Sequence, residues 1–257
     1  MTEERRTMLG ADGVPVFSFR EGVRDGSPWA YAIEDIGPGA ADAIASRMPG
    51  WVVSAPAELG RALLGRGPRL LRHMNAMLCD LPVARPVAGA APDGFRIVPC
   101  DRSPAEIFPA WFAAYPPGHP DHRPRDREKA LEEELVPLLG GEEIGPLLPC
   151  SVLAVRDGSP GTDEVVGGVF VTDSNRGPWI ADVFRHPDRS PRGLGALMLS
   201  ATLARAGADG LAGMGLVVTE GNPARRVYER VGFRVIDSAM TVMISGDRSG
   251  SGPGSSR

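Results

Sequence analysis

The sequence predicts an α/β (α+β) chain: a mixed, mostly antiparallel sheet flanked by helices, preceded by a smaller, related domain. Three observations predict it. Beyond residue 94, apolar residues switch between strand and helix spacing in the order β-α-α-β-β-β-α-β-α-β. Glycine (33 residues) and proline (25) are frequent enough in a chain of 257 to keep each element short. A shift of 165 residues lays one segment of the chain on another without a gap.

Residues 1–30 read as a polar, hairpin-like start. The stretch from Pro82 to Asp93 is rich in Pro and Gly and has no apolar period, so it reads as a linker and sets a boundary near residue 90. Residues 1–90 are expected to form a degenerate N-terminal domain and 91–245 the main one, with a Gly/Ser-rich, disordered tail over 246–257. Within the main domain, Gly94–Cys100 is a strand. Pro104–Tyr115 is a helix capped by Ser103, with Ile107, Phe108, Trp111, Phe112 and Tyr115 at helical spacing. Pro116-Pro117-Gly118 stops it, and Arg125–Leu139 forms a second amphipathic helix. Ser151–Arg156, Val165–Asp173 and Trp179–Arg185 are strands separated by turns at Asp157-Gly158 and Asn175-Arg176-Gly177, a pattern that fits an antiparallel meander. A helix over Arg192–Ala206, a strand over Met214–Thr219, a helix over Pro223–Val231 and a strand over Phe233–Ile244 complete the order.

The internal match places Trp51-Val52-Val53-Ser54 on Leu216-Val217-Val218-Thr219, Arg61 on Arg226, and Gly67–Leu71 on Gly232–Ile236. Both copies read strand, helix, glycine, strand, with the glycine past the helix end where a left-handed residue is needed. Where the second copy has Asn222 and Tyr228, the first has Ala57 and Leu63, and no glycine-rich loop is expected before its strand. The N-terminal copy therefore reads as a structural partner without polar chemistry, or as an interaction surface that helps shape a site in the other half or mediates dimerisation.

Composition narrows the function classes. A formal net charge of −4 predicts no general attraction to nucleic acid or anionic lipid. Lys129 is the single lysine, so anions would be met by guanidinium groups or backbone N–H. No apolar run approaches the roughly 20 residues of a membrane span. Met1–Arg6 lacks the apolar core of a signal peptide. Cys79, Cys100 and Cys150 are widely spaced and read as reduced thiols of a cytoplasmic protein. No Cys-x-x-Cys or Cys-x-x-His pair occurs, so no metal site is predicted.

The chemistry-bearing segment is Val183–Ala196, where a strand runs through a short loop into a helix whose start carries Gly193 and Gly195. Unpaired N–H groups at a helix start attract a phosphate, and glycine lets it approach the backbone. Arg189 and Arg192 can add charge-assisted bonds. The alternative is that the two glycines only permit close packing of helix on sheet. The third glycine of the dinucleotide fingerprint and the Gly-Lys-Ser/Thr of a P-loop are both missing. In the second segment, Asn222–Phe233, Asn222 is an N-cap and Pro223 a first helical residue. Tyr228 lies six residues on and returns near the face of Asn222. It reads either as a core aromatic or as a functional hydroxyl.

Together the two segments resemble the cofactor-binding motif and the following motif of the GNAT superfamily of acyl-CoA-dependent N-acyltransferases, over about residues 94–244. Gly193-Leu194-Gly195 matches the superfamily's Gly-x-Gly/Ala, Arg192 its basic residue, Pro187 an upstream proline, and Asn-Pro-Ala…Tyr-Glu-Arg-Val-Gly-Phe its second signature. Two positions depart from the pattern: Ser190 replaces the usual Gln or Arg, and Pro191 replaces a common glycine and removes an N–H.

The resemblance implies transfer of an acetyl or other acyl group from acyl-CoA, as co-substrate and without a metal, to a primary amine of a small molecule or peptide. The attack is direct and occurs in a ternary complex. It implies a cofactor side formed by Val183, Phe184, Arg185, Ser190, Pro191, Arg192, Gly193, Leu194, Gly195, Ala196 and Asn222. A backbone N–H of Val183–Arg185 polarises the carbonyl, and Tyr228 is the acid for the leaving thiolate. The amine must lose a proton before it attacks. Asp182, Asp173, Glu134 and His119 are the candidate bases, and spacing singles out none of them. The acceptor side is expected from the first two helices and the loop Pro116–Pro124, where His119 and His122 line the mouth rather than bind metal. The alternative function is a non-catalytic acyl-CoA-binding sensor or scaffold.

Overall fold

The computed structural model describes residues 5–10, 12–83, 89–158 and 163–246. The centre of the expected linker and the tail from residue 247 lie outside these. By compactness the chain divides into one unit of residues 1–75 with 237–257 and a second of residues 76–236. The break expected near residue 90 falls inside the second unit. Among the described residues no helix is long and apolar enough to cross a membrane.

The first unit opens with three antiparallel strands, β1 (Arg5–Leu9), β2 (Pro15–Arg24) and β3 (Ser27–Glu34). Next come α1 (Ala40–Arg47), β4 (Val52–Pro56), which is parallel to β3, and α2 (Ala57–Leu64). Its remaining strands are the first part of β5 (Arg69–Asp80) and the second part of β11 (Arg234–Met243), in the order β1-β2-β3-β4-β11-β5. β11 pairs antiparallel with β4 over five positions, from Val52↔Met243 to Pro56↔Ala239. Val242 and Ile244 therefore sit in one apolar cluster with Phe17, Ile44 and Leu63. His73 Nε2 lies 2.8 Å from Ser238 Oγ, and these positions are 165 apart, the register of the sequence repeat.

One expectation for this copy is corrected. It does carry a glycine-bearing loop, Gly37-Pro38-Gly39, after β3, and Gly39 precedes α1 in the left-handed conformation (φ 82°). The shift of 165 misses the loop because its counterpart lies at a different offset. The helix start it makes already carries an acid, Asp42, in its first turn. Leu63 is fully buried, so the position of Tyr228 is pure core here.

In the second unit the strand order is β5-β10-β9-β8-β7-β6. β6 (Phe95–Pro99), β7 (Val152–Arg156), β8 (Glu164–Ser174) and β9 (Gly177–Arg185) form the expected antiparallel meander. Side chains alternate between two cores, with the phase of β8 shifted by an irregularity against β7 at Ala154/Val155. Val152, Ala154, Val166 and Val169 face α6 (Leu194–Ala208) and α7 (Ala224–Val231), whereas Leu153, Val155, Val165 and Phe170 face α3 (Pro104–Ala113) and the helices after it. Covering both faces is why β8 is almost continuously apolar. α3 starts at a capping box in which Ser103 Oγ accepts from the Glu106 N–H and Glu106 returns a bond to the Ser103 N–H.

The helix expected over Arg125–Leu139 is interrupted. α4 (Arg127–Ala130) passes through one π-helical turn (Leu131–Leu135) into α5 (Val136–Gly140). Pro137 has no N–H for the carbonyl one turn back, which fits a widened turn just before it. α6 likewise starts two residues later than expected. Pro191 removes a donor and Gly193 takes φ 89°, so helical dihedrals begin only at Leu194.

Candidate active site

β9 and β10 (Gly213–Thr219) run parallel but share a single register position, Trp179↔Gly215. Gly215 is required at this touch point, because a Cβ there would meet the Trp179 ring at 2.7 Å. A bulge lies beyond it on β9: Val171 pairs with Ile180 and Phe170 with Asp182, leaving Ala181 extra. Such a bulge re-aims the side chains after it, here Asp182 and Val183.

α6 begins at the far end of β9. Leu194 N–H is taken by the Pro191 carbonyl at 3.3 Å and Leu197 N–H by Gly193 at 3.2 Å. Among the described residues no protein oxygen accepts from the N–H groups of Gly193, Gly195 or Ala196. Ideal Cβ atoms at Gly193 and Gly195 meet nothing within 4 Å. At Gly195 this decides between the two readings of the glycine pair, since helix–sheet packing does not need that residue small. Arg192 is exposed and has no acidic partner among the described residues. Ser190 and Arg189 point elsewhere: Ser190 Oγ donates to the Val166 carbonyl at 2.6 Å, and Arg189 is paired with Glu164. Leu194, Ala196 and Phe184 have buried side chains, so what they offer a ligand is backbone.

A polar cluster lies on the other side of β9. The Asp182 carboxylate accepts from Trp111 Nε1 at 2.7 Å and from the Tyr115 hydroxyl, which also lies 3.1 Å from the Val183 carbonyl. Burial raises the Asp182 pKa. The Tyr115 and Trp111 hydrogen bonds, the Arg125 charge and the Val183 N–H oppose that rise without cancelling it. Burial and the neighbouring carboxylate push Tyr115 well above its ordinary value. Tyr228 has a buried ring, and its hydroxyl has no protein hydrogen-bond partner among the described residues. Burial first, then the charges of Asp182 and Asp121, raise its pKa.

Asn222 caps α7 through Oδ1, which accepts from the Ala224 N–H at 2.8 Å, while Nδ2 donates to Asp121 at 2.7 Å. Asp121 also accepts from the Thr219 hydroxyl, so the loop after α3 is tied to the end of β10. His119 stands edge-on to Tyr115 with ring centroids 5.1 Å apart, and His122 Nδ1 lies 2.8 Å from the Tyr115 carbonyl. Among the described residues no three His, Cys, Asp or Glu side chains come together as a metal ion would require.

The model of the acetyltransferase (GNAT) family matches residues 105–233. The chain belongs to the GNAT acetyltransferase family. A GCN5-related N-acetyltransferase from Sphaerobacter thermophilus shares 18% identity, with 95% of this chain and 82% of that one covered at a TM-score of 0.62. A tandem GNAT protein from the clavulanic acid biosynthesis pathway shares 16% identity, with 91% and 80% covered at a TM-score of 0.57. At such identities the likeness is one of fold, and it reaches over both units of the chain. No curated protein matches in sequence.

In this GNAT domain the two sequence segments meet at one place, the parting of β9 and β10. The open helix start with its N–H groups and Arg192 has the chemistry to hold a phosphate anion. Of the four candidate bases, Asp182 is the one in this polar cluster. Glu134 is paired with Arg125 at 3.0 Å, Asp173 is exposed at the other end of β8, and His119 Nδ1 accepts from the Asp121 N–H at 3.1 Å. Sequence reasoning missed Asp121 and took Trp111 as core alone. The one available signal was an acid between the two histidines of a proline-rich loop.

Proposed function

We propose that this chain is an N-acyltransferase. It transfers an acetyl or other acyl group from acyl-CoA to a primary amine of a small molecule or peptide by direct attack in a ternary complex. The observation that carries the reading is the start of α6, where unpaired N–H groups and a glycine that packs against nothing face open space.

Acyl-CoA supplies the activated carbonyl and a thiolate leaving group. Gly193, Gly195 and Ala196 offer N–H groups to its diphosphate and Arg192 a guanidinium. The backbone of Val183–Arg185 is the proposed donor to the oxygen that gains charge. Tyr115 Oη takes a proton from the amine as it passes its own to Asp182, which leaves the carboxylate neutral and the phenol restored. Tyr228 donates its proton to the departing sulfur. The Asp182 charge is one of the causes that hold the Tyr228 proton in place. Neutralising Asp182 therefore makes Tyr228 a better acid at the moment the sulfur needs one. Exchange with solvent afterwards removes the Asp182 proton and restores that of Tyr228.

The N-terminal copy, residues 1–90, is read as a degenerate GNAT-like partner. Three free thiols, with Cys100 and Cys150 pushed by burial to about 11, fit a reducing cytoplasm. Calorimetric titration with acetyl-CoA and a thiol-release assay over an amine panel test the proposal together. No binding at millimolar acetyl-CoA removes the acyl-donor assignment. Binding without thiol release from any amine leaves an acyl-CoA-binding sensor or scaffold.

A further inference from the structure

A cavity of about 260 Å³ lies on the acceptor side of the site, lined by Phe112, Tyr115, Pro117, His122, Arg123 and Arg125 among others. Its charged lining is all basic, in a chain whose net charge is −4. Arg125 is pre-set: its guanidinium lies over the Trp111 ring, 4.6 Å from the centroid, and Glu134 holds its Nε at 3.0 Å. That arrangement leaves the two terminal nitrogens to a ligand. Arg123 is exposed and has no acidic partner among the described residues. Carbonyl oxygens only accept, so the contact with the Tyr115 carbonyl puts a proton on His122 Nδ1. Nε2 is then the ring atom without a protein partner among the described residues. Tyr115 joins this cavity to the reacting end, because its ring is one wall and its hydroxyl bonds Asp182.

We infer that the acceptor amine also carries a carboxylate, which this cavity holds through Arg123 and Arg125 while Phe112, Tyr115 and the prolines cover its apolar part. The inference rests on the acyl-transfer reading and names the substrate class for that site. A planar carboxylate matches a guanidinium fork with two parallel bonds, whereas an amine without it leaves two cations facing an apolar wall. It also separates the ligand's charges correctly, with the ammonium toward Asp182 and the carboxylate toward the arginines.

The test uses matched amines with the full chain: phenylalanine against its amide and phenethylamine, and lysine against cadaverine. Thiol release from acetyl-CoA and calorimetric binding are both measured. The expected result is that at least one carboxylate-bearing amine binds about tenfold more tightly than its carboxylate-free partner. Arg123→Gln is then expected to shrink that ratio to under about threefold, with the fold intact because the side chain is exposed. A panel in which no pair shows the preference overturns the inference, as does a preference that Arg123→Gln leaves unchanged. Because binding is read separately, absence of thiol release with a preserved carboxylate preference counts against acyl transfer and not against the cavity's ligand.

Discussion

Tyr228 combines a buried ring with a hydroxyl that no protein group satisfies among the described residues, and burial and then the carboxylates near it keep its proton in place. Removing only that oxygen is the cleanest probe of its role. Tyr228→Phe is expected to lower kcat about 10²-fold, the scale of a lost general acid, while acetyl-CoA affinity stays within about threefold. Equal losses in affinity and turnover would mean that the hydroxyl positions the ligand instead. Asp182 gives a pH prediction. Burial raises its pKa above the ordinary 3.8, so the neutral acid persists to a higher pH than in a free aspartate. Only the carboxylate can take a proton. Activity should therefore fall as pH drops through that raised value and recover above it. Asp182→Asn should remove about 10²-fold of kcat at neutral pH, with no acid limb left on the profile. The place of Tyr228 near Asn222 followed from helix geometry, and its role as an acid came from the family resemblance. Asp182 was only one candidate base among four, since a β-bulge and two partners distant in sequence, Trp111 and Tyr115, set it apart. Asp121 showed only as an acid between two histidines, because its bonds to Thr219 and Asn222 span about a hundred residues.

The start of α6 allows binding and folding to be pulled apart. Gly195 has helical neighbours and nothing in front of it, so Gly195→Leu should not lower stability and should gain up to about 1 kcal/mol from helix propensity. Its side chain would occupy the space in front of the free N–H groups, and KM for acetyl-CoA should rise at least about tenfold. Gly193→Leu meets the opposite constraint. A φ of 89° is strained for any side chain, so this variant should lose about 1–2 kcal/mol in denaturant titration whether or not cofactor is present. If Gly195→Leu leaves the KM unchanged, α6 does not hold the diphosphate. Period-two and helical spacing made every element of the second unit legible, because each buries one face against a defined core. The π-helical turn at Leu131–Leu135 was not, since a repeat of 3.6 hides a single widened turn. The glycine loop before α1 was missed because a fixed shift cannot follow a change of loop length between copies.

The chain crosses between its two compact units twice, so the first unit is built from two separate stretches of sequence and the second from one. The repeat was legible as a register of 165. The placing of the last strand beside β4 was not, because it depends on pairing between residues far apart in sequence. That placing has a consequence for folding. The first unit's core contains Val242 and Ile244, and β4 meets β11 over five positions. A fragment ending at residue 83 lacks both, exposes one side of β4 and loses about 1.5–3 kcal/mol for each of the two side chains. In so small a domain that approaches the whole margin of stability. The expected outcome is that residues 1–83 alone show no cooperative thermal transition by circular dichroism. In the full chain, Val242→Ala should cost about 2–3 kcal/mol, because a fully buried side chain leaves a cavity in that core. A sharp transition for the isolated fragment, together with a cost below about 0.5 kcal/mol for Val242→Ala, would mean that β4 does not depend on the strand that follows α7. The N-terminal copy would then be a self-sufficient domain.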